Sequence, residues 1–215
     1  MMDGRPALRI MLVDDHPIVR RGLREILAES FEQAVIHEVG SAHEALALAR
    51  TQSWSVVILD LSLPDASGLD VLKKIREARP RLPVLILSMH AVDQFARSAI
   101  AAGASGYLTK EAADAELVTA VMRLLRGGKY FGADVLEGMT VRHPGGDERP
   151  HERLSDREYQ VLRMIGSGKT VSEIAQALSL SVKTVSTYRA RVLEKMGMRT
   201  NAELTHYAVR HGLAE

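Results

Sequence analysis

The chain has 215 residues, 46% of them hydrophobic, and a formal net charge of +1. That length suits one large domain or two small ones, and the apolar fraction argues against global disorder. The absence of cysteine excludes disulfides, thiolate metal sites and cysteine nucleophiles, and makes a reducing cytoplasm the expected location.

The sequence pattern also argues against export and against a membrane partner. The N-terminal stretch MMDGRPALRI lacks the apolar core of a secretory signal. No run approaches the roughly 18 consecutive apolar residues that a membrane-spanning helix needs. We therefore expect a protein that acts away from membranes.

The first part of the chain alternates short apolar strands with helices. Pro17 begins the first helix and Ser41 caps the second. The predicted strands are 8–13, 35–39, 56–59, 83–88 and 106–108, and the later helices are 68–78, 93–102 and 111–126. Five strand–helix units with nearly continuous apolar strands predict a parallel sheet covered by helices on both faces.

A different pattern follows the stretch HPGGDERPHER, residues 143–153, whose glycines, prolines and charges indicate a linker. The remaining sequence shows no strand signal and predicts four helices, at 156–165, 171–178, 182–196 and 202–211. We therefore predict a first domain over residues 7–128, a linker over 129–153 and an all-α domain over 154–215.

Polar side chains stand at the ends of four of the predicted strands. Asp14 and Asp15 follow the first strand and Asp60 follows the third, while the fourth ends in Ser88 and Lys110 comes shortly after the fifth. The carboxyl ends of parallel strands share one edge of the sheet, where such folds bind ligands. Crowded carboxylates favour a cation such as Mg²⁺, and a lysine opposite them supplies a charge that suits a phosphoryl group. An aspartate beside both is a plausible nucleophile toward phosphorus. A single strand-end aspartate is more often a turn former, so the combination carries the argument.

The segments IMLVDDHPIVRRGL, VVILDLSLPDASGLDVL, LILSMH and AAGASGYLTK resemble a response-regulator receiver domain. The resemblance implies a flavodoxin-like α/β fold with a five-stranded parallel, doubly wound sheet in the order 2-1-3-4-5. It implies Asp60 as the phosphoacceptor and a Mg²⁺ site formed by Asp14, Asp15, Asp60 and the Ser62 carbonyl. It also implies Ser88 as a switch hydroxyl, Tyr107 as a switch aromatic and Lys110 as the partner of the phosphoryl oxygens. Ser88 as a helix cap and Tyr107 as an ordinary core residue are the structural alternatives.

In the second domain, residues 171–178 and 182–196 form two predicted helices joined by Ser179-Leu180-Ser181, a spacing typical of a helix-turn-helix. Residues Val185, Tyr188, Val192 and Met196 share one face and predict a buried stripe. The other faces carry small, polar and basic groups suited to the major groove and to phosphates, with Arg189 ranked below the others for base contact. These candidate DNA contacts are Lys183, Thr184, Ser186, Thr187, Arg189, Ala190 and Arg191. The alternative is a helical packing module with a solvated face.

The segments LSDRE, EIAQALSLSVKTVSTY and KMGMRTNAEL resemble a LuxR-type helix-turn-helix. The common family pattern has lysine near Ser186 and histidine at Tyr188, so the base preference of other members does not transfer to this chain. The resemblance also implies dimerisation through the last helix, predicted at 202–211.

Together the two resemblances imply a cytoplasmic two-component response regulator of the NarL/FixJ type. A histidine kinase would phosphorylate Asp60, which would control dimerisation or release of the second domain and its binding to promoter DNA. A homodimer and RNA polymerase are further expected partners, and enzymatic activity is not expected. Two alternatives stay open on the sequence: a Mg²⁺-dependent phosphatase that forms an aspartyl-phosphate, and a regulator that works without phosphorylation. Against the phosphatase, Ser62 stands where such an enzyme needs a second carboxylate.

Overall fold

The computed structural model describes residues 7–89, 94–132, 135, 150–178 and 180–214. The chain divides into two compact units, Met1–His143 and Pro144–Glu215. No helix among the described residues is long and apolar enough to cross a membrane.

The first unit is a parallel sheet with helices between its strands. Its strands are β1 (Arg9–Val13), β2 (Val35–Val39), β3 (Val56–Asp60), β4 (Val84–Ser88), β5 (Gly106–Thr109) and β6 (Tyr130–Phe131). Its helices are α1 (Pro17–Ser30), α2 (Ala42–Thr51), α3 (Gly68–Ala78), α4 (Gln94–Ala101) and α5 (Ala113–Leu125). The order of the strands is β2-β1-β3-β4-β5-β6, and every pair is parallel. The predicted doubly wound architecture is thus confirmed, although residue 93 of the predicted fourth helix lies outside the described residues.

The prediction of five strands is wrong, because the described residues form six. The sixth strand, β6, falls inside the segment predicted as a linker and pairs with Gly106 and Tyr107 of β5. A Cβ atom on Gly106 would lie 2.7 Å from the Tyr130 carbonyl oxygen, so the glycine allows this close approach. A two-residue strand is too short to show a period of alternation, which is why the sequence pattern missed it.

The core of the first unit follows from strand alternation. Ile10 and Leu12 of β1 and Ile58 of β3 pack in one cluster with side chains from α1 and α5, such as Leu27 and Leu117. The intervening strand residues are equally buried and point to the opposite face of the sheet. Burial on both faces explains why these strands read as continuous apolar runs rather than alternating ones.

The second unit is helical throughout its described part. It contains a 3-10 helix (Pro150–Arg153) and the α-helices α6 (Asp156–Gly166), α7 (Val171–Ala177), α8 (Val182–Met196) and α9 (Asn201–Arg210). The four predicted helices are present, and the short 3-10 helix adds a fifth helical element within the predicted linker. Ser179, in the predicted turn, lies outside the described residues.

Side-chain caps set the starts of the helices in the second unit. Ser155 and Glu158 form a reciprocal capping box at α6, and Thr170 and Glu173 form another at α7. The Glu158 carboxylate also accepts a hydrogen bond from the Lys195 ammonium at 2.6 Å, which ties α6 to α8. Leu154, Ile174 and Val192 belong to one buried cluster that holds these helices together.

Candidate functional site

The predicted acidic residues meet at the carboxyl edge of the sheet. Val13, the last residue of β1, lies beside Leu59 of β3, so Asp14 and Asp60 leave neighbouring strands at the same level. Asp60 is completely buried, and the exposed fraction of Asp14 is 1%. Two carboxylates this deep need a counter-charge or a cation.

Lys110 supplies a counter-charge to both carboxylates. Its Nζ atom lies 2.6 Å from Asp14 Oδ2 and 2.9 Å from Asp60 Oδ2. The other Asp60 oxygen, Oδ1, accepts a hydrogen bond from the Ser62 backbone N–H at 3.0 Å. The lysine therefore bridges the ends of β1 and β3, although it follows β5, two strands away from β3.

The electrostatics of this cluster favour the uptake of more positive charge. Burial raises the pKa of the Asp60 carboxyl above its ordinary value, Lys110 opposes that shift, and the charge of Asp14 adds to it. Burial lowers the pKa of Lys110, but Asp60 and Asp14 together outweigh burial, so the pKa lies above its ordinary value. The lysine is charged at neutral pH and leaves the surplus negative charge of the carboxylates only partly compensated.

Four side chains at this edge are close enough to share a metal ion. Asp14, Asp15, His16 and Asp60 each offer one ligand atom, and these atoms all lie within 4.8 Å of one another. Three carboxylates match the preference of Mg²⁺ for oxygen ligands, so the donor set fits that ion. Ser62, whose carbonyl is the other predicted ligand, is buried beside Asp60.

The two predicted switch residues are buried on β4 and β5. Ser88 ends β4, one residue beyond Leu87, which lies beside Asp60. The Lys110 backbone N–H donates to the Ser88 carbonyl at 2.8 Å. Tyr107 is fully buried and lies on β5 between Ile86 and Phe131. Their switch roles stay predictions.

In the second unit, helix α8 separates a buried stripe from an open face. The predicted stripe is confirmed: Val185, Tyr188, Val192 and Met196 are its buried residues. Of the candidate DNA contacts, Lys183, Ser186, Thr187, Ala190 and Arg191 are exposed, whereas Thr184 and Arg189 are partly buried.

Three of these candidates already make side-chain hydrogen bonds within the protein, and the Thr187 hydroxyl donates to the Lys183 carbonyl at 3.0 Å. The Arg189 Nε–H donates to Asn201 Oδ1, which anchors the guanidinium to the start of α9. The Thr184 hydroxyl lies 2.7 Å from the Ser181 hydroxyl at the start of α8. Lys183 and Arg191 are therefore the better candidates for phosphate contact.

Comparison with known protein families accounts for both units. Residues 10–122 match the response regulator receiver domain, and residues 152–208 match the bacterial regulatory proteins of the luxR family. The chain belongs to the response regulators. A receiver domain joined to a LuxR-type DNA-binding domain is typical of transcriptional regulators and not of enzymes, so the phosphatase alternative is set aside.

Individual relatives span nearly the whole of this response regulator. The response regulator UvrY of Escherichia coli K12 is 36% identical over 208 residues, which are 96% of this chain and 95% of UvrY. A structure of RcsB from Salmonella typhimurium aligns with a TM-score of 0.60 and 27% identity, covering 95% of this chain and 99% of RcsB. A structure of two RcsB dimers bound to two parallel DNAs aligns with a TM-score of 0.59 and 27% identity, covering 95% and 98%.

The sequence did not predict the roles of Asp65 and His16. Asp65 Oδ1 and Oδ2 accept hydrogen bonds from the backbone N–H groups of Ala42 and His43 at 2.8 and 3.0 Å. This carboxylate caps α2 and thereby ties the segment after Asp60 to the start of that helix. The pairing joins residues far apart in sequence, so no local pattern shows it. His16 was missed although it directly follows the predicted acid pair.

Proposed function

We propose that Asp60 is the phosphoacceptor of this response regulator and that its phosphorylation controls binding of the second unit to promoter DNA. The observation that carries the proposal is the Lys110 ammonium, which bridges the buried carboxylates of Asp60 and Asp14 in a chain that also has a LuxR-type domain. The donor would be a phosphohistidine of a sensor kinase, and the site of action the cytoplasm, where promoter DNA lies.

In the proposed reaction, an Asp60 carboxylate oxygen attacks the phosphorus atom, the P–N bond to the kinase histidine breaks, and an acyl phosphate forms. A bound Mg²⁺ would neutralise charge on the transferred oxygens and would be held by Asp14, Asp15, Asp60 and the Ser62 carbonyl. Lys110 pairs with a phosphoryl oxygen, and the Ser88 hydroxyl donates to another. When Ser88 moves to make this hydrogen bond, it leaves space behind it, and the packing around Tyr107 changes.

The proposed DNA binding depends on the exposed face of α8. Lys183 and Arg191 contact phosphates, while the small and hydroxyl side chains between them meet base edges in the major groove. The proposed functional boundaries at 7–128, 129–153 and 154–215 separate the phosphorylated domain, the linker and the DNA-binding domain, with β6 pairing with the first domain from within the linker segment. RcsB dimers bind DNA, which supports a homodimer on paired half-sites here. RNA polymerase is the further proposed partner at the promoter.

Mg²⁺ is expected to stabilise the first unit against thermal unfolding. A ligand that binds only the folded state at 100 times its Kd adds about 2.7 kcal/mol to the free energy of unfolding. Asp15→Asn removes one proposed ligand and should cut the Mg²⁺-induced rise in Tm to less than about half. Calorimetry of the full chain with and without Mg²⁺ measures this rise.

Asp70→Asn is the matched control, since Asp70 is an exposed acid on α3 outside the cluster. That variant should keep the full response to Mg²⁺. An equal rise in Tm for wild type and Asp15→Asn would contradict the proposed metal site.

Lys183→Ala is expected to weaken binding to a DNA duplex of random sequence and to make that binding less dependent on salt concentration. Each lost phosphate contact lowers the slope of log K against log salt by about one. Fluorescence anisotropy of the full chain over a series of salt concentrations gives both values. Lys74→Ala removes the same charge from the exposed side of α3 and should change neither. If the two variants behave alike, α8 is not the DNA-binding face.

A further inference from the structure

His16 stands directly against the predicted metal ligands. Its imidazole Nδ1 lies 2.8 Å from Asp15 Oδ1 and 3.2 Å from Asp14 Oδ1. The backbone N–H of His16 donates to Asp14 Oδ1 at 2.7 Å, which turns the chain back over the acidic cluster just before α1 begins. The local path of the backbone therefore places the imidazole beside the cluster.

The spacing of the four donor groups matches one coordination sphere. Ligands at about 2.1 Å from an octahedral ion lie about 3.0 Å apart when adjacent and about 4.2 Å apart when opposite. The ligand atoms of Asp14, Asp15, His16 and Asp60 all fall within 4.8 Å of one another. Small side-chain rotations bring all four onto a single ion, and the His16 side chain, 44% exposed, is the one freest to rotate.

An imidazole changes which ions the cluster prefers. Mg²⁺ selects oxygen ligands, whereas the divalent ions from Mn²⁺ to Zn²⁺ bind imidazole nitrogen well and follow an order of rising affinity up to Cu²⁺. Carboxylates follow the same order, but imidazole nitrogen widens the gap between these ions and Mg²⁺. A set of three carboxylates and one imidazole discriminates between the two classes of ion.

We propose that His16 Nδ1 is a direct ligand for divalent transition metals at this cluster, so that the receiver unit takes ions such as Co²⁺ and Mn²⁺ in preference to Mg²⁺. The inference rests on the proposed function, because it assigns a further ligand to the same metal site. Asp14, Asp15 and Asp60 serve both classes of ion, and His16 serves only the transition metals.

The test compares Co²⁺ and Mg²⁺ binding by titration calorimetry of the full chain, with wild type and His16→Gln. His16→Gln should lower the Co²⁺ affinity about tenfold or more, and the Mg²⁺ affinity less than about threefold. The visible absorption spectrum of bound Co²⁺ supplies a second measurement, because loss of a nitrogen ligand shifts its bands even when the ion still binds.

His206→Gln is the control for histidines that bind Co²⁺ at the surface, since His206 is exposed on α9. It should leave the Co²⁺ affinity and spectrum at the cluster unchanged. If His16→Gln keeps both the Co²⁺ affinity and the spectrum, or lowers the two affinities equally, His16 is not a ligand, while the Mg²⁺ site still stands. Failure of wild type to bind either ion would overturn both the inference and the proposed metal site.

Discussion

Asp60→Asn is expected to abolish the uptake of a phosphoryl group from acetyl phosphate, which wild type takes up once per chain in the presence of Mg²⁺. A carboxamide lacks the nucleophilic carboxylate oxygen that must bond to phosphorus, so the loss should be complete within detection. The measurement is the intact mass of the full chain after incubation with the donor.

Two controls make this result specific to the site. Asp70→Asn should be phosphorylated like wild type, and removal of Mg²⁺ by a chelator should suppress the reaction in both. Because burial raises the pKa of Asp60 in the folded state, its contribution to stability is full at acidic pH and declines as pH rises through that pKa. Asparagine removes this cost but also removes one of the two carboxylates that pair with Lys110. Circular dichroism at neutral pH should show that Asp60→Asn is folded, so that the loss is assigned to the missing acceptor. Equal phosphorylation of wild type and Asp60→Asn would place the acceptor elsewhere.

Gly68→Ala is expected to be severely destabilising and to disturb the segment that holds Asp60. A Cβ atom on Gly68 would lie 2.4 Å from Leu61 Cα and 2.7 Å from the Asp60 carbonyl oxygen. Backbone atoms cannot rotate aside as a flexible side chain does, so the start of α3 and the end of β3 must move apart. We expect a loss of about 3 kcal/mol in the free energy of unfolding of the first unit, at the upper end for overpacking. Denaturant titration followed by circular dichroism measures it.

Gly22→Ala is the matched comparison for this glycine. Gly22 lies within α1, and an added Cβ there meets nothing within 4 Å. Alanine should stabilise that helix by about 0.5–1 kcal/mol, because glycine has a low helix propensity. If both variants destabilise the first unit equally, the close packing of Gly68 on Leu61 is not the cause.

The sequence predicted those parts of the fold that depend on long apolar runs and on strand ends. The strand 35–39 and the helix 68–78 have the predicted bounds, because apolar periodicity and turn formers mark both of their ends. The meeting of Asp14, Asp60 and Lys110 was also predictable, since parallel strands deliver their carboxyl ends to one edge.

The missed features depend on contacts between distant segments. Strand β6 exists because Tyr130 and Phe131 pair with β5, and two residues carry no detectable pattern. The Asp65 cap joins the loop after β3 to the start of α2, more than 20 residues earlier. In α8 the buried stripe was predictable from its spacing, whereas the hydrogen bond from Arg189 to Asn201 was not.

Control of DNA binding by phosphorylation of Asp60 is tested by comparing the affinity for DNA with and without the phosphoryl group. The probe is a DNA duplex selected from a random pool by its binding to the wild-type chain in the presence of acetyl phosphate and Mg²⁺. Fluorescence anisotropy then gives the Kd for this duplex with and without the phosphoryl donor. We expect the donor to lower the Kd of wild type about tenfold or more, equivalent to about 1.4 kcal/mol, and to leave the Kd of Asp60→Asn unchanged. An unchanged Kd for phosphorylated wild type, or an equal change in Asp60→Asn, would contradict it.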